Sequence, residues 1–226
     1  LLDERNPSSE WGAAGVAAVW APQNTREALF DAMRRKETYA TSGPRITLRF
    51  FAGAEFDTEL LEQAEWVAAA YELGVPMGGE LAAPEDPPAF VVAASKDPLG
   101  ANLDRIQIIK GWLKDGEPQE KIFTVALSDG RVVRDDGSVT PVGSTVDPTH
   151  ATYTNDLGDA QLQTEWTDPE YDPAIPAFYY VRVLEIPTPR WSTYDAARLG
   201  VSPRDDLPVS IQERAWSSPI WVTPSP

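Results

Sequence analysis

Hydrophobic and polar positions alternate in a strand-like way along most of the chain after Pro44. In the first such stretch, Ile46, Leu48 and Phe50 share one face, and the residues between them share the other. Seven or more short strands separated by turns are typical of a sandwich rather than of a parallel α/β sheet. The pattern therefore predicts a mainly β, antiparallel, sandwich-like fold with strands at 45–51, 89–94, 103–109, 121–127, 162–166, 178–186, 210–215 and 220–222.

Turn residues separate these runs. Ser128–Gly130 and Asp135–Ser138 combine Asp with Gly, which is a strong signal for a tight hairpin turn. The run 89–94 is continuously apolar, so we expect it to be a central strand of a sheet.

Two segments have helical spacing instead. The first is about 24–37, for which Asn24 is the predicted N-cap and Glu27 the partner in a capping box. The second is about 59–73, which Gly74 is expected to end as a left-handed stop. The sequence thus predicts a mainly β protein with two helices.

Ser42-Gly43-Pro44 interrupts regular structure between the first helix and the first long strand. We therefore divide the chain into residues 1–44 and residues 45–226. Within the first part, Leu1–Glu10 is polar and irregular, and Trp11–Trp20 is small and apolar. The second of these stretches suits either a buried strand or a close-packed loop.

Charge excludes one class of function. The 226 residues carry a formal net charge of −16, with 19 Lys and Arg against 35 Asp and Glu. Such a surface repels phosphate backbones, so we predict no binding to nucleic acid. No stretch approaches the roughly 18 consecutive apolar residues of a membrane-spanning helix, so no membrane span is predicted either.

The chain is poor in the residues that bind transition metals or act as nucleophiles. It has no Cys, and its one histidine, His150, follows Asp147-Pro148 in a stretch typical of a surface loop. No Asp-x-Asp-x-Asp-Gly calcium loop is present. We therefore expect no cofactor, no metal ligand and no catalytic residue in this chain, and a self-contained metal-free hydrolase is a poor alternative.

A polar and aromatic cluster follows the most β-prone run. It contains Arg190, Trp191 and Tyr194, and prolines precede it. In a loop, an arginine and two aromatic side chains could clamp a small polar ligand. Alternatively, Trp191 and Tyr194 cover a hydrophobic edge while Arg190 pairs with a local acid. The residues themselves leave both interpretations open.

Several segments, in order from about residue 15 to the end, resemble bacterial proteins of the domain of unknown function 3604 family. They include the stretch that runs through Thr41 and Ser42 and the stretch that ends at Arg190 and Trp191. The full set is 35–46, 74–79, 100–107, 151–155, 178–186, 186–191 and 213–221.

That family is similar to the polymerase and histidinol phosphatase (PHP) proteins, whose barrel binds metals through His and Asp or Glu. The resemblance implies metal-dependent hydrolysis, with a phosphoester as one candidate substrate. The His-bearing motifs of the family do not occur in these residues, so we expect them, and a divalent metal, in a domain upstream of Leu1. Residues 1–44 would then be the tail of a PHP-like barrel, and residues 45–226 a C-terminal β-sandwich-like domain.

Two functions follow as expectations. In the first, the chain is the non-catalytic C-terminal part of a PHP-like hydrolase. It packs on the upstream barrel of the same polypeptide and helps to complete a pocket for a small-molecule substrate. The expected pocket residues are Thr41, Ser42, Arg190, Trp191 and Tyr194. In the second, the chain is a β-sandwich module that binds a carbohydrate or a protein, or has a structural role.

Overall fold

The computed structural model describes residues 12, 14–56 and 59–224. The irregular segment predicted at 1–10, Trp11 and the predicted turn residue Asp57 lie outside the described residues. The mainly β prediction is confirmed. The strands are β1 Val16–Val19, β2 Thr38–Thr41, β3 Thr47–Gly53, β4 Val75–Pro76, β5 Glu80–Ala82, β6 Ala89–Ser95, β7 Leu103–Lys114, β8 Glu117–Leu127, β9 Gln161–Thr167, β10 Ala177–Glu185, β11 Thr188–Pro189, β12 Ser210–Ile211, β13 Arg214–Ser217 and β14 Ile220–Thr223.

The larger sheet has eight strands, and β10 is at its centre. One edge of β10 pairs with β13 and β14, and the other edge pairs along its length with β7, which continues to β8. Beyond β13 lie β2 and β1, and beyond β14 lies β5 in the one parallel pairing between the named strands. The second sheet has the order β4-β3-β6-β9, so the apolar run at 89–94 is a central strand, as predicted. Strands β11 and β12 form a separate pair.

The core lies between the two sheets. In β10, the alternate residues Tyr179, Val181 and Val183 are buried, and they pack in one cluster with Leu48 and Phe50 of β3. The alternation predicted for 45–51 is therefore confirmed. Two facing layers of mostly antiparallel strands with one shared apolar core make the fold sandwich-like.

The first predicted helix is present, but its cap is one residue later than expected. Helix α1 is Arg26–Arg34, and Thr25, not Asn24, is its N-cap. The Thr25 hydroxyl accepts a hydrogen bond from the backbone N of Ala28 at 3.3 Å. Glu27 therefore stands at the second helical position and does not complete the predicted capping box.

The second predicted helix is divided. Leu60–Glu62 forms a short 3-10 turn, and helix α2 is Trp66–Leu73. Gly74 follows α2 with an extended backbone, φ −158°, and so is not the left-handed stop that was predicted. Glycine is needed there for a different reason, because a Cβ would lie 2.3 Å from the carbonyl oxygen of Ala52.

A third helix occupies the segment that was predicted to be a loop. Helix α3 is Trp191–Leu199, with Arg190 as its N-cap residue. Gly200 ends it in the left-handed conformation, φ 67°. The loop interpretation of Arg190–Asp195 is thus wrong, and the described residues contain three α-helices.

The predicted hairpins need a correction as well. Ser128–Gly130 is a turn, but it leads out of β8 into a long connection rather than into a paired strand. Asp135–Ser138 closes only an isolated bridge. The main hairpin joins β7 to β8 through Asp115 and Gly116, whose φ values of 53° and 83° fit the tight turn that matches sheet twist.

Residues before and after the division at residue 44 meet in the larger sheet. Thr41 of β2 pairs with Ala215 of β13. The division into two domains stays a prediction. In the part of the chain that the structure describes, no helix has the length and apolar character needed to cross a membrane.

Candidate functional site

The predicted site residue Ser42 lies beside the C-terminal strands. Its hydroxyl donates a hydrogen bond to the carboxylate of Glu213 and accepts one from the backbone N of Arg214 at 2.8 Å. Thr41 is buried next to it in β2. These contacts place the 41–44 junction directly against the strand that begins at Arg214.

The structure places Arg190 and Trp191 at the start of α3. The Arg190 side chain is only 5% exposed, and its Nη1 donates to the hydroxyl of Ser192 at 2.8 Å. The guanidinium carbon lies 5.2 Å from the centre of the Trp191 ring. These two side-chain contacts are local to the start of the helix, and the backbone N of Arg190 donates to the carbonyl of Val209 at 3.0 Å.

Tyr194, one turn into α3, does lie near the Ser42 region. Burial raises the pKa of its hydroxyl, Arg198 opposes this, and the charge of Glu213 raises the pKa further. The pKa of Tyr153 is raised by burial and then by Tyr194, Glu185 and Asp97. Two tyrosine hydroxyls therefore share one electrostatic environment with the acidic side chains Asp97, Glu185 and Glu213, which we call the carboxylate cluster.

Glu185 is the central member of this cluster. It ends β10 and is 2% exposed, and its Oε1 has no hydrogen-bond partner among the residues that the structure describes. Burial, Glu213 and Asp97 raise the pKa of Glu185 to about 8, and Lys96 only partly opposes them. Its carboxyl group is thus largely protonated at neutral pH and is able to donate a proton or a hydrogen bond.

Asp97 has the opposite electrostatic character. Its two carboxylate oxygens accept hydrogen bonds from the backbone N of Arg45 at 2.7 Å and of Leu99 at 2.9 Å. These bonds hold the pKa of Asp97 below its usual value. The cluster therefore combines a carboxyl group whose pKa is raised with one whose pKa is lowered, so the two differ in their protonation at neutral pH.

Two asparagines hold the loops around Glu185. Asn155 Oδ1 accepts from the backbone N of Asn102 at 2.8 Å, and Asn102 Nδ2 donates to the carbonyls of Asn155, Leu157 and Gly158 at 3.0–3.2 Å. This clasp brings the segment that starts at Gly100 against the segment 151–155. Gly100 is itself close to the site, since a Cβ there would lie 3.4 Å from Glu185 Oε1.

Within the described ranges, no three His, Cys, Asp or Glu side chains are grouped so that they could hold a metal ion. The carboxylate cluster therefore does not have the arrangement of a metal site. His150 is exposed, and its Nδ1 lies 2.6 Å from Asp147 Oδ2, which confirms the predicted surface loop.

Sequence reasoning missed the acidic members of the site. The sequence contains 35 acidic residues, and its pattern does not single out Asp97, Glu185 and Glu213 among them. One signal was available for Glu185, because it follows Val183 and Leu184 in the strongest β run and precedes Ile186. A carboxyl group within a buried strand needs a partner or a function.

The fold and the site together define a class: a mainly β, sandwich-like protein with an acidic cluster around the buried side chain of Glu185. A family model described as "Protein of unknown function (DUF3604)" matches residues 3–224. The chain belongs to this family, which confirms that part of the resemblance. No curated protein and no solved structure matches the chain.

Proposed function

We propose that this chain is the non-catalytic C-terminal part of a bacterial, PHP-like metal-dependent hydrolase, with a phosphoester as the candidate substrate. In this proposal it packs against an upstream barrel domain of the same polypeptide, and the carboxylate cluster lines the substrate pocket. One observation carries the proposal: the buried, largely protonated carboxyl group of Glu185, whose Oε1 has no hydrogen-bond partner in the described part of the chain.

A side chain of this kind is costly for the fold. Burying a carboxyl group without a full set of hydrogen bonds destabilises a protein, and strongly shifted pKa values are concentrated at functional sites. The clustering of Glu213 and Asp97 around Glu185 increases this cost. Substrate binding gives a physical reason for burying Glu185, because its protonated carboxyl group can donate a hydrogen bond to an oxygen of the substrate.

The neighbours of Glu185 suit a small polar substrate. The hydroxyls of Tyr153 and Tyr194 lie in the same electrostatic environment. Lys96 lies close by, with its Nζ bound to the carbonyls of Asp97 at 3.1 Å and Gly100 at 2.9 Å. These groups offer donors for hydroxyl or phosphoryl oxygens, while the chemistry at the metal is assigned to the upstream domain.

The position of the cluster also supports the proposal. Ser42, which contacts Glu213, stands directly before Gly43-Pro44, where the chain was predicted to leave the barrel tail. A barrel that precedes this junction would lie next to the carboxylate cluster. The predicted divalent metal belongs to that barrel, whose His-bearing motifs the resemblance places upstream.

The test uses the full-length protein loaded with Mn²⁺ or Zn²⁺ and a panel of phosphomonoesters and phosphodiesters. We expect hydrolysis, and we expect Glu185→Leu to lower kcat/KM by about tenfold or more, because the hydrogen bond from its protonated carboxyl group to a charged phosphoryl oxygen is lost. Asp136→Asn, in an exposed turn, is the control and should leave kcat/KM unchanged. Unchanged kcat/KM in Glu185→Leu would show that the carboxylate cluster does not line the pocket, and a lack of hydrolysis of every ester would contradict the hydrolase function.

The second candidate function is a carbohydrate- or protein-binding β module, and one surface favours it. A groove of about 510 Å³ on the larger sheet is lined by Phe178 and Trp221, whose ring centres are 5.1 Å apart. Gly111 beneath them has no side chain, which leaves room for the Phe178 ring. Retardation of the protein by neutral polysaccharides in native gels, lost in Trp221→Ala, would support this function over the first.

A further inference from the structure

The outer face of the four-stranded sheet carries a second site, unconnected with the carboxylate cluster. Two adjoining cavities of about 330 and 260 Å³ open there, and both are lined by Trp20 and Arg49. We call the combined space the Arg49 cleft. Arg49 lies in β3 between Leu48 and Phe50, so its two neighbours point into the core while its own side chain points outward.

The guanidinium of Arg49 is held in a fixed plane. Its central carbon lies 3.2 Å from the centre of the Trp20 ring, which is a stacked arrangement. The indole N–H of Trp20 donates to the carbonyl of Leu48 at 2.8 Å, and this bond fixes the ring against strand β3. Stacking of this kind orients the forked N–H groups of an arginine toward a ligand before the ligand arrives.

Within the part of the chain that the structure describes, the guanidinium of Arg49 makes one hydrogen bond. Its Nη1 donates to the hydroxyl of Tyr71 at 3.0 Å, and that hydroxyl in turn donates to Glu37. Among the described residues, no carboxylate lies within 4.0 Å of the Arg49 guanidinium. In a chain with a net charge of −16, a stacked arginine with no acidic partner in contact needs a reason.

A second arginine stands at the rim of the cleft. The side chain of Arg35 is 52% exposed, and its Nη2 lies 3.3 Å from the buried carboxylate of Glu37. The cleft thus contains two guanidiniums and one carboxylate, so its local formal charge is positive within an acidic protein. A positive, aromatic-walled concavity attracts an anion and holds it by paired N–H donors.

The other half of the cleft is lined by neutral polar groups. Thr47, Ser95, Gln161 and Gln163 face it, with the indole of Trp66 as a wall. Hydroxyl and amide groups of this type both donate and accept, which suits the hydroxyls of a sugar rather than an apolar body.

We propose that the Arg49 cleft binds a carbohydrate that carries an oxyanion, either the carboxylate of a sugar acid or the phosphate of a sugar phosphate. The oxyanion accepts paired hydrogen bonds from Arg49, with Arg35 adding charge at the rim. The sugar hydroxyls contact the neutral polar half of the cleft, and Trp66 packs against the ring.

The test is titration of the full-length protein, monitored by tryptophan fluorescence and by calorimetry. The probes are glucuronate, glucose 6-phosphate, inorganic phosphate and uncharged glucose. We expect one or both sugar anions to bind at least about tenfold more tightly than glucose, with an affinity that falls as salt is added. The two sugar anions distinguish the sources of the oxyanion, and inorganic phosphate shows how much the sugar contributes.

Arg49→Gln should weaken binding of the sugar anion by about tenfold or more, and Arg49→Lys should restore only part of it because the fork is lost. The matched control is Arg182→Gln, since Arg182 also extends from a central strand and bonds a neutral partner, Gln107, at 2.9 Å. Arg35→Gln, at the exposed rim, should weaken binding of the sugar anion about two- to fivefold. Because Arg35 lies outside the strands, this substitution changes no residue of the sheet.

Three results would overturn the proposal. One is equal affinity for glucose and for both sugar anions. Another is equal loss in Arg49→Gln and Arg182→Gln. The third is no binding of any probe at about 10 mM, since that concentration would reveal even a millimolar site. If Arg49→Gln does not fold, the Arg35→Gln variant is sufficient as a test. Unchanged binding of the sugar anion in that variant would contradict binding in the Arg49 cleft.

Discussion

The hydroxyl of Tyr179 donates a hydrogen bond to Oδ2 of Asp168 at 2.8 Å, in the middle of the protein. The same oxygen accepts a hydrogen bond from the Nζ of Lys110 at 2.5 Å, and all three side chains are buried. Burial and the charge of Asp168 raise the pKa of Tyr179 well above its usual range, so the phenol stays a donor. This network links β7 and β10 to the segment that follows β9.

Breaking the buried pair should cost far more than breaking an exposed one. We expect Lys110→Met to lower the free energy of unfolding by about 3–5 kcal/mol, because the charge of Asp168 would be left buried and uncompensated. Lys121 provides a matched control: it stands opposite Lys110 in the β7–β8 pairing and contacts Glu170 at the surface. Lys121→Met should cost less than about 1 kcal/mol. Urea denaturation measures both, and equal losses would contradict the role given to Asp168.

Glu185 should make stability depend on pH. Its pKa is about 8 in the folded protein, against 4.5 for an ordinary glutamate. Below about pH 4.5 both states hold the proton. Between that value and about pH 8 only the folded state does, so the free energy of unfolding falls as pH rises, by up to about 1.4 kcal/mol per pH unit. Above pH 8 the proton and its stabilising effect are lost.

Glu185→Gln removes this proton linkage. The variant should therefore gain stability relative to the parent protein as pH rises from about 5 to 9, with the gain levelling off above pH 8. The stability difference between the two proteins, measured by urea denaturation across this range, cancels the other titrating groups. A difference that does not vary with pH would show that Glu185 is ionised in the folded state at all these values.

Two glycines should differ in their tolerance of alanine. A Cβ on Gly78 would lie 2.2 Å from the backbone oxygen of Lys36, and Gly78 has φ +86°. A Cβ on Gly111 would meet the ring of Phe178 at 2.3 Å, but that ring is at the half-exposed end of a side chain and can move. We expect Gly78→Ala to cost about 3 kcal/mol or more, and Gly111→Ala about 1 kcal/mol. Thermal unfolding of the two variants checks this order, and its reversal would contradict it.

The Asn102–Asn155 clasp should be sensitive to charge. Asn102→Asp replaces a donor that faces three carbonyls with an anionic acceptor, so we expect a loss of about 3 kcal/mol or more. Asn102→Ala, which removes the donor without adding charge, should cost about 1–3 kcal/mol. Asn24→Asp, at an exposed position before α1, is the control and should be nearly neutral. Urea denaturation distinguishes the three, and a neutral Asn102→Asp would show that the clasp does not hold the loops.

The strands were predictable because their signal is local. Ile46, Leu48 and Phe50 alternate with polar residues because one face of β3 meets the core. Helix α3 was missed although it also has a local signal, since Leu199-Gly200 is a typical helix end. The prolines before Arg190 and the aromatic residues after it favour a loop, and this signal competes with the helix-end signal.

The candidate site was not predictable in the same way. Ser42 and Tyr194 were identified and lie near Glu213, but Glu213 and Asp97 were not identified. Their importance depends on which strands come together in space, and alternation along one strand contains no information about its neighbours. Only the isolated position of Glu185 in an apolar run carried a signal that the sequence alone could have revealed.

The pairing of β2 with β13 has a consequence for folding during synthesis, because β2 is translated long before its partner strand. Ser42 and Arg214, which bond to each other beside these strands, are 172 positions apart. At about 5–20 residues per second, a ribosome needs roughly 10–30 s to translate the interval. During that time β2 has one bare edge in the nascent chain, whereas the β7–β8 hairpin can already close on itself. A bare edge invites pairing with the wrong strand, so we expect slower translation of the last third of the message to increase aggregation and faster translation to reduce it.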